Sequence, residues 1–160
     1  MSDDLDDDVD DGELDDDLDD GELDRPRYTG GIGSRRERRE RALALLYEAE
    51  TKERPPSELL GEQVLTPDPF VAELVSGVTD HADDIDRAIT EHAQGWTLER
   101  MPATDRAILR MAIYELAFSD ETPTAVVISE AVELAKAYST DDSGRFVNGM
   151  LAAIAGSCRP

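Results

Sequence analysis

The sequence predicts an all-α fold, and three observations carry that prediction. Apolar residues recur at helical spacing from about residue 34 onward, no stretch alternates apolar and polar residues as a strand would, and Ser, Asp and Pro stand where helices would start. The clearest stripe is in residues 126–154. At about 100° per residue, Val127, Ala131, Leu134, Ala135 and Tyr138 share one arc, with Ser129, Glu130, Glu133 and Lys136 opposite.

The first segment is set apart by charge. Residues 1–24 hold 15 Asp or Glu and no Lys or Arg, so they carry −15 of the chain's net −22 and leave −7 for everything else. Like charges repel, and Leu5, Val9, Leu14, Leu18 and Leu23, spaced alternately by four and five, match neither a helix nor a strand. Disorder is the expectation. The tail is read as a solvated segment that aids solubility, with an acidic mimic of nucleic acid, competing for a nearby basic surface, as the second reading. Arg25-Pro26-Arg27 and the Gly-rich stretch to Gly33 make a flexible joint. Residues 1–33 are therefore assigned as tail and joint, and 34–160 as the helical domain.

Ser34-Arg35-Arg36-Glu37 has the form of a capping box, and a helix is expected from there to Lys52. Arg35, Arg36, Arg38 and Arg39 fall on the same arc as Ala42, Leu43, Leu45, Leu46 and Tyr47. A solvated face would lie opposite the apolar stripe. Here the stripe changes from arginine to leucine, so the first two turns are expected to overhang the core and present a cluster of guanidiniums. Residues 34–41 carry five Arg and two Glu, a local +3 that suits an anion or nucleic acid.

Pro55-Pro56 stops that helix, and Ser57 is expected to cap a short one through Leu65. Asp68 and Pro69 suit the cap and first residue of the next, whose Phe70, Leu74, Val78, Ile85 and Ile89 run to about His92 as one long helix or as two with a bend near Asp80. Gly95 ends it, and Trp96 is read as a core anchor in preference to a base-stacking platform. Thr104–Phe118 is so widely apolar that it is expected to be the central helix of the second half, with Asp105 and Glu115 buried beside an arginine such as Arg106 or Arg110. Asp120–Pro123 forms a loop into the opening stripe. Ser139-Thr140-Asp141-Asp142 supplies acceptors to cap the last helix, which carries Phe146, Val147, Met150, Leu151 and Ile154.

Little here suggests catalysis. His81 and His92 have no third ligand at metal spacing, Cys158 is the only cysteine, and there is no Gly-rich phosphate loop or nucleophile elbow. No metal, cofactor or enzymatic activity is expected. No apolar run, Ala125–Ile128 included, approaches the roughly 20 residues that span a bilayer, so a soluble, cytoplasmic protein without a membrane partner is expected. Arginines on phosphates give affinity without sequence choice, and unpaired bases are read by stacking on aromatic side chains. Phe146, at the edge of its apolar arc and next to Arg145, is a candidate for that role or an ordinary core residue.

Four segments carry a resemblance. Arg35-Arg36-Glu37-Arg38-Arg39 leading to Ala44-Leu45-Leu46-Tyr47, residues 105–116 (DRAILRMAIYEL), 129–136 (SEAVELAK) and 142–151 (DSGRFVNGML) closely resemble the NusB family of transcription antitermination factors, over about residues 34–155. The resemblance implies two small three-helix bundles packed together, about 34–95 and 96–157, with no enzymatic activity. It implies pairing with NusE, a small-subunit ribosomal protein, binding to boxA RNA of nascent ribosomal RNA leaders, and assembly with RNA polymerase, NusA and NusG. By position, Arg35, Arg36, Arg38 and Arg39 match RNA-contacting arginines, Phe146 matches an aromatic that stacks on RNA, and Phe70 falls where the family has an aromatic near RNA. Arg145 is grouped with Phe146, while Ser34 and Asp142 look like helix caps near that surface. Gly144 departs from the family, which usually has a polar residue there. A protein-interaction module, such as a homodimer burying the arginine surface, is the alternative. A related helical domain also fronts certain ribosomal RNA methyltransferases, but no Gly-rich cofactor segment is present.

If the tail competes with RNA for the arginines, deleting residues 1–24 will tighten RNA binding most at low salt, where screening is weakest. Titration of full-length and truncated protein across ionic strength checks this. Equal affinities at low salt would remove the competition.

Overall fold

The computed structural model describes residues 34–159, so the expected tail and joint lie outside the described residues. Seven α-helices and no strand are present among them. They are α1 (Arg35–Thr51), α2 (Pro56–Gly61), α3 (Pro69–Asp80), α4 (Ala82–His92), α5 (Ala103–Phe118), α6 (Thr124–Tyr138) and α7 (Ser143–Cys158), with a 3-10 turn at Leu98–Arg100. The fold is all-α, as expected.

Local chemistry explains most of the boundaries. Ser34 Oγ accepts from the Glu37 amide at 3.1 Å and Glu37 Oε1 accepts from the Ser34 amide at 2.8 Å, which completes the capping box of α1. Asp68 caps α3 through the Phe70 amide at 2.8 Å, with Pro69 in the first turn. The ambiguous stretch after it resolves into two helices, because His81, at φ −113° and ψ 24°, leaves the helical region between α3 and α4. The His81 ring stacks on Phe118, 3.8 Å between centroids, which holds the bend against the end of α5. α2 is shorter than expected. Pro55 occupies its cap position, Ser57 makes no cap bond, and the helix stops at Gly61, leaving Val64 and Leu65 exposed in the following loop.

α5 is the hub, and it serves more of the chain than expected. It packs against α1, α3, α4, α6 and α7, and its Ile108, Leu109, Met111 and Ile113 are almost wholly enclosed. Leu74, Val75, Ile85 and Ile89 reach it from α3 and α4, and Val127, Val147, Leu151 and Ile154 from α6 and α7. The close approach of α3 depends on Gly77, since a β-carbon there would lie 2.2 Å from Tyr114 Cε1. Tyr114 fills that space and donates to Glu73 Oε2 at 2.9 Å. Its burial and the nearby Glu73 carboxylate push the phenol up to about 12.

Three expectations need correction. Trp96 is not a core anchor. It is 52% exposed, because Gly95 takes φ +78° and turns the chain outward after Ala93, while Met101 and half-buried Leu98 pack inward in its place. Asp105 is buried, but no arginine pairs with it. Ser139 Oγ donates at 2.6 Å and Ser143 Oγ at 3.0 Å, so two hydroxyls from the α6–α7 corner satisfy the carboxylate. Arg106 and Arg110 instead reach Glu50 on α1, with Arg110 Nε also on Asp86 at 2.9 Å. Arg106 holds the Glu50 carboxyl below its usual range, chiefly by hydrogen bonding.

Arg159 ties the chain's last described turn to the end of α5. Its guanidinium donates to the carbonyls of Leu116 at 2.9 Å, Thr122 at 2.8 Å and Glu115 at 2.7 Å. These include carbonyls at a helix C-terminus, where a cation also opposes the helix dipole.

Ala at position 77 would gain about 1 kcal/mol of helix propensity. The clash with Tyr114 should outweigh it. We expect Gly77→Ala to lose stability, by about 1–3 kcal/mol as overpacked cores do, in urea denaturation. A gain in stability would show that α3 and α5 are not in close contact there.

Candidate nucleic-acid interface

Along the arginine stripe only the first turn of α1 is exposed, not the first two turns that the arginine-to-leucine change predicts, and its four arginines do four different things. Arg39 is 3% exposed and forms two parallel hydrogen bonds with the Glu115 carboxylate, both 2.8 Å. This corrects the expectation that it contacts RNA. A guanidinium enclosed by α1, α5 and the Phe70 ring, 5.3 Å away, has no surface to offer a phosphate. Arg38 is half-buried, with its Nε 3.3 Å from Asp68 Oδ2, so Asp68 both caps α3 and holds α1.

Arg35 and Arg36 are exposed. Arg35 lies over the Phe70 ring, 4.2 Å from guanidinium carbon to centroid, and has no ion-pair partner among the described residues. Phe70 itself is buried, so no base can stack on it. Its role at this surface is to support Arg35. Arg36 forms a two-point pair with Glu130 of α6, at 3.1 and 2.9 Å, and that contact holds the Glu130 carboxyl below its usual range. One turn beyond Arg36 on α1 and two turns beyond Glu130 on α6, Tyr138 Oη donates to Glu40 Oε2 at 3.0 Å.

The second candidate cluster sits at the α6–α7 corner. Arg145 is exposed, with no ion-pair partner among the described residues. Phe146 is half-buried, one edge on the core and its ring 6.1 Å from that of Trp96, at 40°. Asp142 occupies the cap position of α7 but makes no cap bond, which corrects its reading as a capping side chain. Its φ of −86° and ψ of −11° are already helical, so the carboxylate points away from the amides an N-cap would serve. The corner is held instead by Ser143, whose Oγ accepts from the Thr140 amide at 3.2 Å and donates to Asp105. Gly144 is buried, and a β-carbon there would meet Lys136 Cγ at 3.1 Å.

Two features of the surface escaped sequence reasoning. The Arg36 to Glu130 pair spans distant parts of the chain, and periodicity carries no signal for it. Trp96 did carry one: Gly directly before a bulky aromatic in a connector marks a sharp turn that can throw the ring outward.

The NusB family model matches residues 36–156. The transcription antitermination protein NusB of Saccharopolyspora erythraea is 51% identical over 131 residues, covering 78% of this chain and 88% of that protein. Among solved structures, NusB of T. maritima superposes with a TM-score of 0.72 at 34% identity, over 79% of this chain and 94% of that one. A crystal structure of antitermination factors NusB and NusE in complex with dsRNA has a TM-score of 0.68 at 28% identity, over 77% and 96% of the two chains.

The geometry separates structural from exposed arginines. Arg39→Ala would strand the buried Glu115 carboxylate and should cost about 3–5 kcal/mol, whereas Arg36→Ala breaks an exposed, solvent-screened pair and should cost far less. Urea denaturation of the two variants checks the difference. Equal losses would mean that Arg39 is not enclosed as described.

Proposed function

This chain belongs to the NusB family, and from that premise we propose that it is a transcription antitermination factor that binds boxA RNA of nascent ribosomal RNA leaders together with NusE. In this reading the complex joins elongating RNA polymerase with NusA and NusG in the cytoplasm and lets it pass terminators. The chain itself catalyses nothing. Residues 34–160 act as one RNA-binding domain of two sub-bundles, about 34–95 and 96–157, with the acidic tail and joint before it.

The observation that carries the reading is the pair of exposed guanidiniums, Arg35 and Arg36, at a helix start that outruns its apolar stripe. Arg35 is pre-positioned by Phe70, which lowers the entropy lost when it takes a phosphate. Arg36 is paired with Glu130, which a phosphate would have to displace, and Arg38 stands behind both on Asp68. At the other end, Arg145 offers a phosphate contact and Phe146 a ring for an unpaired base. Ser34 fixes the first turn of α1, and Asp142 marks the α6–α7 corner beside Phe146. Support from relatives is of the same kind, since one crystal structure holds NusB, NusE and dsRNA together.

The test is a titration of boxA RNA and a scrambled RNA of equal length, with and without NusE, over a range of salt, with mass followed by light scattering. Wild-type protein with NusE should prefer boxA. Arg35→Glu with Arg36→Glu should weaken that binding by on the order of tenfold or more and flatten its salt slope by about 0.7 for each lost phosphate contact. Unchanged capture of RNA by the variant heterodimer would defeat the reading. A tight homodimer indifferent to RNA would favour the interaction module instead.

A further inference from the structure

We propose that Trp96 is a second base-stacking residue, which together with Phe146 forms a two-ring platform for adjacent unpaired bases of a single-stranded RNA. The inference rests on the RNA-binding reading above and extends it to a residue outside the arginine-rich helix.

The case starts from what Trp96 does not do. Half of its surface is exposed, and the apolar positions around it are filled by Leu98, Met101 and Ala93, so the core does not depend on it. It follows Gly95 at φ +78°, and Thr97 after it is extended, so the backbone presents the indole outward from a tight corner. Apart from the core residue Ala93, whose carbonyl accepts its amide at 3.5 Å, its recorded neighbour is the Phe146 ring, 6.1 Å away and inclined by 40°. Two neighbouring aromatic rings, one of them half exposed, extend the stacking surface that Phe146 alone would provide.

Charge around the pair favours a nucleic acid bound by its bases. Arg145 precedes Phe146, Arg100 lies in the turn that follows Trp96, and Lys136 packs beside Gly144. Against these stand the exposed Glu99, Asp141 and Asp142. The charges nearly cancel, so phosphate attraction cannot supply much affinity at this end of the surface. Stacking can, because every base has a π-face and the contact itself neutralises no phosphate.

Trp96 is the only tryptophan in the chain, so its fluorescence reports on this position alone. We expect saturating single-stranded boxA RNA, added to the full-length protein with NusE present, to quench the indole. Trp96→Leu should bind about tenfold more weakly, within the range for loss of one stacked base, while Trp96→Phe keeps most of the affinity. The loss should be the same factor at every salt concentration, unlike that of the arginine variants. Melting temperatures of both variants should match wild type, since the side chain is not in the core. Three results would overturn the proposal. RNA binding that leaves both fluorescence and Trp96→Leu affinity unchanged would exclude Trp96 while leaving the function intact. Quenching by NusE alone, with no further change on adding RNA, would assign the indole to the protein partner. Failure of wild type to bind any RNA would remove this inference together with the function it rests on.

Discussion

The buried pair between Arg39 and Glu115 sets how α1 lies on α5, and the exposed surface follows from it. Arg39 and Glu50 of α1 meet Glu115 and Arg106 of α5, in reverse chain order. The same four residues in a parallel arrangement would bring arginine to arginine and glutamate to glutamate. The charge pattern thus selects one direction and one register, where apolar stripes alone would tolerate others. Desolvating both ions is costly, and two 2.8 Å hydrogen bonds in an enclosed site are what offset it. With Arg39 fixed at the edge of the core, Arg35 and Arg36, a turn earlier, have to lie beyond it.

That constraint divides a run of similar residues into different jobs. Arg39 faces α5, Arg38 faces Asp68 at the start of α3, Arg36 faces Glu130 on α6, and Arg35 rests on Phe70. Each successive residue points about 100° further round the helix, so a short basic run contacts three different neighbours before any is left for a ligand. The local +3 of residues 34–41 therefore overstates the positive field, because carboxylates from α3, α5 and α6 stand against three of the arginines. An incoming phosphate must compete with Glu130 for Arg36, and the gain is the difference between two ion pairs.

The helices were largely legible because period and punctuation agreed: the capping box, Asp68-Pro69 and the stripes of α5, α6 and α7 each mark elements that the structure contains. What sequence could not supply was pairing at a distance. Asp105 looked like a carboxylate in need of an arginine, and two arginines stood near it in sequence, yet the helix turns them toward Glu50 and leaves Asp105 to Ser139 and Ser143. The resemblance puts Phe70 near RNA, but its burial beneath Arg35 is not legible, because an aromatic at the first turn of an amphipathic helix reads the same whether capped by a cation or open. Trp96 failed for a related reason: its size argued for the core, and the Gly95 turn that excludes it was taken only as a helix end.

The two parts of the surface differ in what they can do for a transcript. At the start of α1 the exposed groups are two guanidiniums, Arg35 on Phe70 and Arg36 paired with Glu130, so they offer long-range attraction and little choice among sequences. At the α6–α7 corner the charges are mixed and Phe146 sits against an open indole, so contact there requires unpaired bases at close range. From Glu130 to Tyr138 the path between them follows α6 for about 12 Å, with Tyr138 and Glu40 joined across it. A strand held only by the arginines could slide, since every phosphate is alike. Stacking on the rings requires unpaired bases, since bases in a duplex are already stacked on one another, and it accepts any base that is presented. The less charged end should therefore distinguish single-stranded from paired RNA, while the basic helix, though it dominates the sequence pattern, supplies an attraction that is alike for every phosphate.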